Sequence, residues 1–193
     1  MFIELTDLLR CPSPHDEQFL VLLPDTITDR LVMAGTLGCP VCGCTWTIAG
    51  GVADFGSGPP PEPRASALDA EALAALLGLQ GPGGYLAGVG AVPAWAGLAE
   101  ALGGVHLAAI NPDPAVRESR GLSVLRGGSI PLKARSVRGV VLGRGFAEDP
   151  AWQAEAARVV LPGRHVVGEG GRPEHPALDP IASAGEVWVA QRR

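Results

Sequence analysis

One stretch constrains the fold more than any other, because two buried-type apolar runs flank a well-marked helix. The runs Val137–Leu142 and Arg164–Gly168 are bounded by glycine or proline and rich in valine, as strands usually are. Between them, Asp149 suits a helix N-cap and Pro150 suits the first helical position. We expect this helix to end at Pro162-Gly163. Strand, helix and strand in so few residues predict a parallel βαβ unit with a right-handed crossover.

Three short motifs in and around this unit belong together. They are Ile130-Pro131-Leu132, then Val140-Val141, then the run Glu-Ala-Ala-Arg-Val-Val-Leu-Pro-Gly at 155–163. In this order they resemble the later half of the class I S-adenosylmethionine-dependent methyltransferases, and a weaker likeness extends over about Ser66 to Arg193. The resemblance implies an α/β fold with a Rossmann-like, mostly parallel sheet, here a truncated methyltransferase fold.

The remaining apolar runs fill out such a sheet. Tyr85–Val89, Val105–Ile110 and Leu122–Leu125 predict its first three strands, and Glu186–Ala190 predicts a last, antiparallel one at or near the edge. The segment Gly170–Ala184 is short and rich in proline, so we expect a strand and a helix of the family to be missing there. Further helices are predicted at Pro93–Leu102 and from Asp113-Pro114.

Composition narrows the class of protein. The chain has 193 residues, of which 47% are apolar and only 5% aromatic, so the core is built mainly from alanine, valine and leucine. Residues 72–99 carry no charge, but their repeated glycines and prolines favour a buried helix–strand–helix over a membrane span. Residues 1–9 contain two acidic side chains and lack the apolar region of a signal peptide, so we expect a cytoplasmic protein.

The four cysteines are clustered near the start of the chain, which favours metal binding over a disulfide framework in a reducing compartment. Cys39 and Cys42 have the C-x-x-C spacing that aims two thiolates at one zinc ion, and Cys11 supplies a third. The fourth ligand is either His15 or Cys44. The alternative is an N-terminal part that has lost its zinc and is held together by hydrophobic packing alone.

The N-terminal part begins with helical turns over Ile3–Arg10 and continues with strands at Phe19–Leu23 and Arg30–Leu37, joined through Pro24-Asp25. The cysteine turn and Thr45–Val52 follow. This order resembles the small zinc-ribbon proteins that are partners and activators of methyltransferases, except that Pro14 stands at the second cysteine of the first pair. The resemblance implies a zinc-ribbon-like domain (1–57), a proline-rich linker (58–65), a methyltransferase-like domain (66–193) and a protein partner, with another methyltransferase as a candidate.

The methyltransferase resemblance also says where S-adenosylmethionine would bind. It places Gly88 and Gly90 in the glycine turn after the first strand and Asn111 at the end of the second. The family has a third glycine and an acidic residue in the turn, a carboxylate where Asn111 stands, and an acid after the third strand. This chain has none of them. Losing two or three charge-assisted hydrogen bonds of about 1.5–3 kcal/mol each weakens binding by orders of magnitude.

We therefore predict a non-catalytic interaction or regulatory module, a pseudoenzyme with a methyltransferase-like sheet. One alternative is an active methyltransferase with an atypical site. A second is an RNA- or ribosome-associated module, although the net charge of −5 argues against a dedicated nucleic-acid binder. The observation behind this second alternative is a basic stretch, whose members are Arg117, Arg120, Arg126, Lys133, Arg135, Arg138 and Arg144. Ordinary solvation of loops explains such a stretch more simply.

Overall fold

A computed structural model describes residues 1–56, 68–90, 98 and 104–193, and these form one mixed eleven-stranded sheet. A 3-10 helix, Ile3–Leu8, precedes the sheet. The two α-helices with described bounds are α1 (Ala70–Leu77) and α2 (Pro150–Val159). The strands are β1 (Val21–Thr28), β2 (Leu31–Gly38), β3 (Thr45–Ala49), β4 (Val52–Asp54), β5 (Tyr85–Val89), β6 (His106–Ile110), β7 (Leu122–Arg126), β8 (Val137–Leu142), β9 (Val160–Glu169), β10 (Leu178–Ala184) and β11 (Val187–Arg192).

The strand order is β1-β2-β3-β4-β7-β6-β5-β8-β9-β11-β10. From β5 onward, the first five strands lie side by side as third, second, first, fourth and fifth, and every pair among them is parallel. This is the Rossmann arrangement, whose order reverses between the first and fourth strands, here β5 and β8. The coarse prediction of an α/β fold with a Rossmann-like sheet is therefore confirmed, and at one side β11 lies antiparallel between β9 and β10.

The N-terminal strands do not form a separate sheet. β1 to β4 are an antiparallel meander, and β4 then pairs in parallel with β7, with Ala53 opposite Leu125 and Asp54 opposite Arg126. One hydrophobic cluster also runs through both parts, from Leu5 and Leu37 in the first to Val140 in the second. The ribbon-like part and the α/β part therefore share a backbone ladder and a core.

Helix α2 begins as predicted but ends earlier. The Asp149 side chain accepts a hydrogen bond from Ala151 N, and Pro150 opens the helix. The last helical residue is Val159, and Pro162-Gly163 lie inside β9 rather than in a terminating turn. There the register shifts, because Val137 pairs with Val160 while Gly139 pairs with His165. The extra residues form a bulge, the setting in which a strand tolerates proline and glycine.

Three other predictions are wrong in detail. A strand, β10, does exist within Gly170–Ala184, so only the helix is absent from that described segment. The turn between β1 and β2 lies at Asp29-Arg30, both with positive φ, while Pro24 lies within an edge strand, where its missing N–H is tolerated. Asp113 caps a turn at Ala115 N and no helix follows.

Two predicted elements fall on residues that the structure does not describe. The linker, 58–65, lies wholly outside the described residues. The predicted helix Pro93–Leu102 lies outside them except for Leu98, which is helical and buried. The division into domains at this linker stays a prediction. No helix among the described residues combines the length and the apolar character needed to cross a membrane.

Candidate metal centre and cofactor edge

Four side chains of the N-terminal part converge on one point. Cys11 follows the 3-10 helix, His15 lies in the next loop, and Cys39 and Cys42 lie in the turn after β2. One ligand atom from each of these residues lies within 4.8 Å of the others. Cys11 and Cys39 are buried, whereas Cys42 is exposed at the outer side of the cluster. The sequence prediction of a Cys/His cluster is matched by this arrangement.

The spacing of the donor atoms fits a tetrahedral zinc ion. With Zn–S near 2.3 Å and Zn–N near 2.05 Å, tetrahedral angles place two sulfurs about 3.8 Å apart and a sulfur and a nitrogen about 3.6 Å apart. Cys11 Sγ and Cys42 Sγ are 3.7 Å apart, and His15 Nε2 is 3.1 Å from Cys11 Sγ and 3.5 Å from Cys39 Sγ. Three thiolates and one imidazole are also a common structural zinc set.

Backbone hydrogen bonds favour the thiolate forms of Cys39 and Cys42, whereas burial raises the pKa of Cys11 and the Asp16 carbonyl raises the pKa of His15. The pKa of Cys42 is lowered to about 6, chiefly by a backbone hydrogen bond from Cys44. Burial acts to raise the pKa of Cys39, but backbone hydrogen bonds from Cys42 and Val41 outweigh it and the pKa is lowered. His15 Nδ1 is 2.7 Å from the Asp16 carbonyl oxygen, so a proton on Nδ1 leaves Nε2 free as a ligand.

Cys44, the other predicted candidate for the fourth position, does not belong to this group of four. Its side chain is exposed, and its Sγ accepts a hydrogen bond of 3.8 Å from Ser13 Oγ. Its backbone instead closes the turn, because the Cys44 carbonyl accepts from Cys39 N at 2.9 Å. The geometry therefore favours His15 over Cys44.

At the predicted cofactor edge, Asn111 is held by the chain itself. It follows β6 with a φ of +49°, a conformation that asparagine tolerates better than most residues. Its Nδ2 donates to the Gly127 carbonyl at 2.7 Å, and its Oδ1 accepts from Gly127 N at 3.0 Å. Both ends of the buried amide are thus engaged across the ends of β6 and β7, and the side chain bridges two loops.

Gly90, the residue directly after β5, lies against an aromatic ring. Gly90 has a φ of +78°, and a Cβ built there lies 2.6 Å from Phe146 Cδ2. Phe146 is buried and packs edge-on against Trp152 at 4.9 Å between ring centroids. Gly143 N also donates to the Val89 carbonyl at 2.9 Å, joining the ends of β5 and β8. Gly88 lies within β5, paired with Ala109 and Val141.

Replacing Asn111 with aspartate tests this interpretation, since aspartate is what the methyltransferase resemblance would place there. The carboxylate cannot donate to the Gly127 carbonyl and sets two acceptors against each other. We expect Asn111→Asp to destabilise the protein by about 1–3 kcal/mol in urea denaturation, the cost of an unsatisfied buried polar group. Unchanged stability together with new affinity for S-adenosylmethionine would contradict a structural role for this amide.

Several members of the predicted basic stretch are engaged by other groups or lie apart from one another. Arg138 donates to the carbonyls of Gly81 and Pro82, and Arg144 forms an ion pair with Glu186. Arg120 lies in the tight turn before β7 and Arg126 ends the strand, so they lie at opposite ends of a strand about 13 Å long. This arrangement agrees with the simpler interpretation, solvated loops around a sheet.

A network of charged side chains joins the two parts of the chain. Its residues belong to two motifs of the sequence, but their contacts could not be predicted from it. Arg158 Nε and a terminal nitrogen donate to both oxygens of Glu155 at 2.9 Å, and Arg158 also donates to the carbonyls of Ile130 and Leu132 at 2.7 Å. Ile130 N in turn donates to Glu155 at 3.0 Å. The two motifs, 130–132 and 155–158, therefore bind each other.

The same network reaches the N-terminal part. Arg10 lies 3.4 Å from Glu155, and its backbone N donates to the Pro131 carbonyl at 3.0 Å. Burial opposes ionisation of Glu155, but the hydrogen bond and charge of Arg158, with Arg10 and Ile130 N, lower its pKa overall. The segment 130–134 is thus fixed between the ribbon-like part and α2.

Comparisons with known proteins give structural neighbours but no sequence relatives. No protein-family profile matches the chain. No curated protein matches it either. Among solved structures, similar chains include one from a complex between the Haloferax volcanii Trm112 methyltransferase activator and a putative methyltransferase. It has 20% identity, a TM-score of 0.37 and coverage of 45% of each chain.

Two further neighbours are methyltransferases. A putative sarcosine dimethylglycine methyltransferase from Galdieria sulphuraria has 19% identity and a TM-score of 0.41, covering 51% of this chain and 43% of its own. The geranyl diphosphate C-methyltransferase from Streptomyces coelicolor A3(2) has 14% identity and a TM-score of 0.42, covering 54% and 46%. The chain thus spans less than half of each of these three neighbours, and its own strand order remains the basis of the fold assignment.

Proposed function

We propose that this protein is a methyltransferase-like interaction module that does not transfer methyl groups. The observation that carries the proposal is the engagement of the cofactor edge by the chain itself. The Asn111 amide is bonded at both ends to Gly127, and the Phe146 ring lies against Gly90. In a doubly wound sheet a ligand lies at the carboxyl ends of the strands, beside the reversal of strand order. Here side chains and backbone bonds of the described residues lie at that place.

We also propose that the N-terminal part is a zinc ribbon with a structural ion held by Cys11, His15, Cys39 and Cys42. The donor types and spacing support it, and so does the backbone hydrogen bonding that lowers the pKa of Cys42. All four positions of a tetrahedron are taken by protein side chains. A bound ion would therefore organise the fold and have no open position for a substrate.

The proposed role is to bind another protein, with a methyltransferase as one candidate. The ladder between β4 and β7 supports this reading of the chain as a ribbon joined to a methyltransferase-like partner in one polypeptide. Such a pair has no need of its own catalytic site if it acts by presenting a surface. The Haloferax volcanii complex joins a methyltransferase activator to a methyltransferase. That pairing belongs to those proteins, and here it only guides the choice of candidate partners.

Calorimetric titration of the metal-analysed protein with S-adenosylmethionine and S-adenosylhomocysteine tests the proposal. We expect no heat of binding up to millimolar ligand. The physical reason is the missing charge-assisted contacts, together with the engaged Asn111 amide. Micromolar binding of either ligand would overturn the non-catalytic role and favour an active methyltransferase with an atypical site. A methyl acceptor would then be sought.

A further inference from the structure

The beginning of β1, with the residues just before it, is apolar on both of its faces. Phe19-Leu20-Val21-Leu22-Leu23 contains no polar side chain. Neighbouring side chains of a strand point to opposite faces. Leu20 is buried and Leu22 packs against the core, whereas Phe19, Val21 and Leu23 are 43%, 52% and 63% exposed. A run that is apolar on both faces is typical of a strand covered on both sides.

Exposed apolar side chains concentrate around this strand. Among the described residues, most of the large hydrophobic side chains with substantial exposure lie between residues 19 and 41, and Ile181 stands apart from them in β10. Those in the first group are Phe19, Val21, Leu23, Ile27 and Val41. Scattered exposed hydrophobics need no explanation, but grouped ones mark interaction sites. We call Phe19, Val21 and Leu23 the outer β1 face.

The residues of the neighbouring strands that lie beside this face have small side chains. Val21 lies opposite Gly38 and Leu23 opposite Thr36, which in turn lies opposite Thr47. Directly opposed residues of an antiparallel pair share a face of the sheet. The side chains beside Val21 and Leu23 are therefore small, and the two apolar side chains stand above them. A partner segment can approach the sheet closely here.

Charge indicates the chemistry of the partner. Residues 1–56 contain seven acidic and two basic side chains, so the net charge of −5 for the whole chain resides in this part. Both basic side chains are already paired, Arg10 with Glu155 and Arg30 with Glu4. Asp25, which follows the outer β1 face, is exposed. Acidic side chains thus predominate in the N-terminal part, although Lys133 Nζ lies 5.2 Å from the centroid of the Phe19 ring, at the first end of the outer β1 face.

We propose that the outer β1 face binds a protein segment whose apolar side chains are flanked by lysine or arginine. This rests on the proposed function and names the chemistry of its partner. Complementary charge would steer the encounter, and burial of the apolar face would hold the complex. A second copy fits less well, because it would bring two acidic surfaces together.

Contact by side chains is favoured over addition of a strand. β1 is the edge strand of the sheet, but Pro24 lacks an N–H and the register shifts between Pro24 and Thr26 and again before Ile27. Proline and irregular register are devices that block pairing along a sheet edge. The partner is therefore expected to lie across the outer β1 face.

Two matched peptides on isotope-labelled full-length protein test the proposal by nuclear magnetic resonance. One alternates leucine with lysine and the other alternates leucine with glutamate. We expect the lysine peptide to shift the amide signals of residues 19–23, with an affinity that falls as salt rises. The double variant Val21→Ser/Leu23→Ser should bind it at least tenfold more weakly. Ile181→Ser, an equally exposed change at the other edge, should bind like the wild type.

Other outcomes would overturn the proposal. These are signals that shift elsewhere on the protein, equal binding of the glutamate peptide, or no binding of either. If sedimentation shows that the wild type self-associates and the double variant does not, the partner of this face is a second copy of the chain and not a basic segment. The calorimetric test is separate, because S-adenosylmethionine binding would overturn the non-catalytic role and leave the peptide result standing.

Discussion

Cys39→Ser is expected to abolish metal binding and unfold the N-terminal part. Cys39 is a buried member of the four-residue cluster, 3.5 Å from His15 Nε2. Structural zinc sites in small peptides contribute about 10–16 kcal/mol of apparent folding free energy at neutral pH. Here the N-terminal part also shares a core with the α/β part, so we expect a loss below that of an isolated zinc peptide but still above about 4 kcal/mol, as large as losses of a metal or of core packing.

The measurement is metal content per chain, followed by thermal unfolding with and without a chelator. Wild-type protein is expected to hold one zinc ion, which a strong chelator removes with a large fall in melting temperature. Cys44→Ser is the matched control, because it changes an exposed thiol in the same turn that lies outside the cluster. It should keep one zinc ion and near wild-type stability.

Each alternative has its own signature in this experiment. Loss of zinc in Cys44→Ser with retention in His15→Ala would make Cys44 the fourth ligand. A wild-type protein without zinc and insensitive to chelator would show a ribbon held by packing alone. Neither result would affect the assignment of the sheet, which rests on strand order.

Arg158→Ala is expected to lower the free energy of unfolding by about 2–4 kcal/mol. The change leaves the Glu155 carboxylate without its bidentate partner and removes the Arg158 donors from the carbonyls of Ile130 and Leu132, of which Ile130 keeps the bond from Leu132 N. The side chains of Arg158 and Glu155 are only 23% and 20% exposed, so water compensates little. Removing one partner of a well-buried pair costs about 3–5 kcal/mol, and the residual exposure reduces that figure.

Urea denaturation checks this value, with Arg172→Ala as control. Arg172 pairs with Glu174, but both side chains are largely exposed, at 82% and 53%. Such pairs contribute little, so the control should remain within about 0.5 kcal/mol of the wild type. An equal, small effect of both changes would show that the Glu155–Arg158 network does not hold segment 130–134.

The same network predicts a direction for pH dependence. The folded-state pKa of Glu155 is lowered, so its contribution is fully present above the unfolded value of about 4.3 and is lost as pH falls through the folded value. In Arg158→Ala the main source of this lowering is absent. Its stability should therefore decline less steeply with acidification than that of the wild type.

Local patterns were enough to place most elements of the α/β part. Apolar runs bounded by glycine or proline predicted β5 to β8 within about a residue, and Asp149-Pro150 predicted the start of α2. These signals act within a few residues and do not depend on the rest of the chain. The candidate ligands Cys39 and Cys42 were named in the same way, because their C-x-x-C spacing is one that zinc sites commonly use.

Other features depend on residues far apart in the chain. The choice of His15 over Cys44 follows from how the loop after Cys11 folds against the β2 turn. The β10 strand contains Pro180 and buries only Leu178, and it exists because β11 pairs with it. Pro162 is tolerated in β9 because it lies in the bulge opposite β8, where the ladder is interrupted.

The contacts between the N-terminal part and the α/β part also depend on residues far apart in the chain. No local pattern indicates that β4 pairs with β7, or that Arg158 bonds to Ile130, since each contact couples segments separated by tens of residues. Propensity and spacing report local conformational cost, whereas strand partners and buried networks are selected by packing of the whole chain. The candidate ligands could therefore be named from the amino acids, while the Asn111–Gly127 bridge and the exposed β1 face required the folded chain.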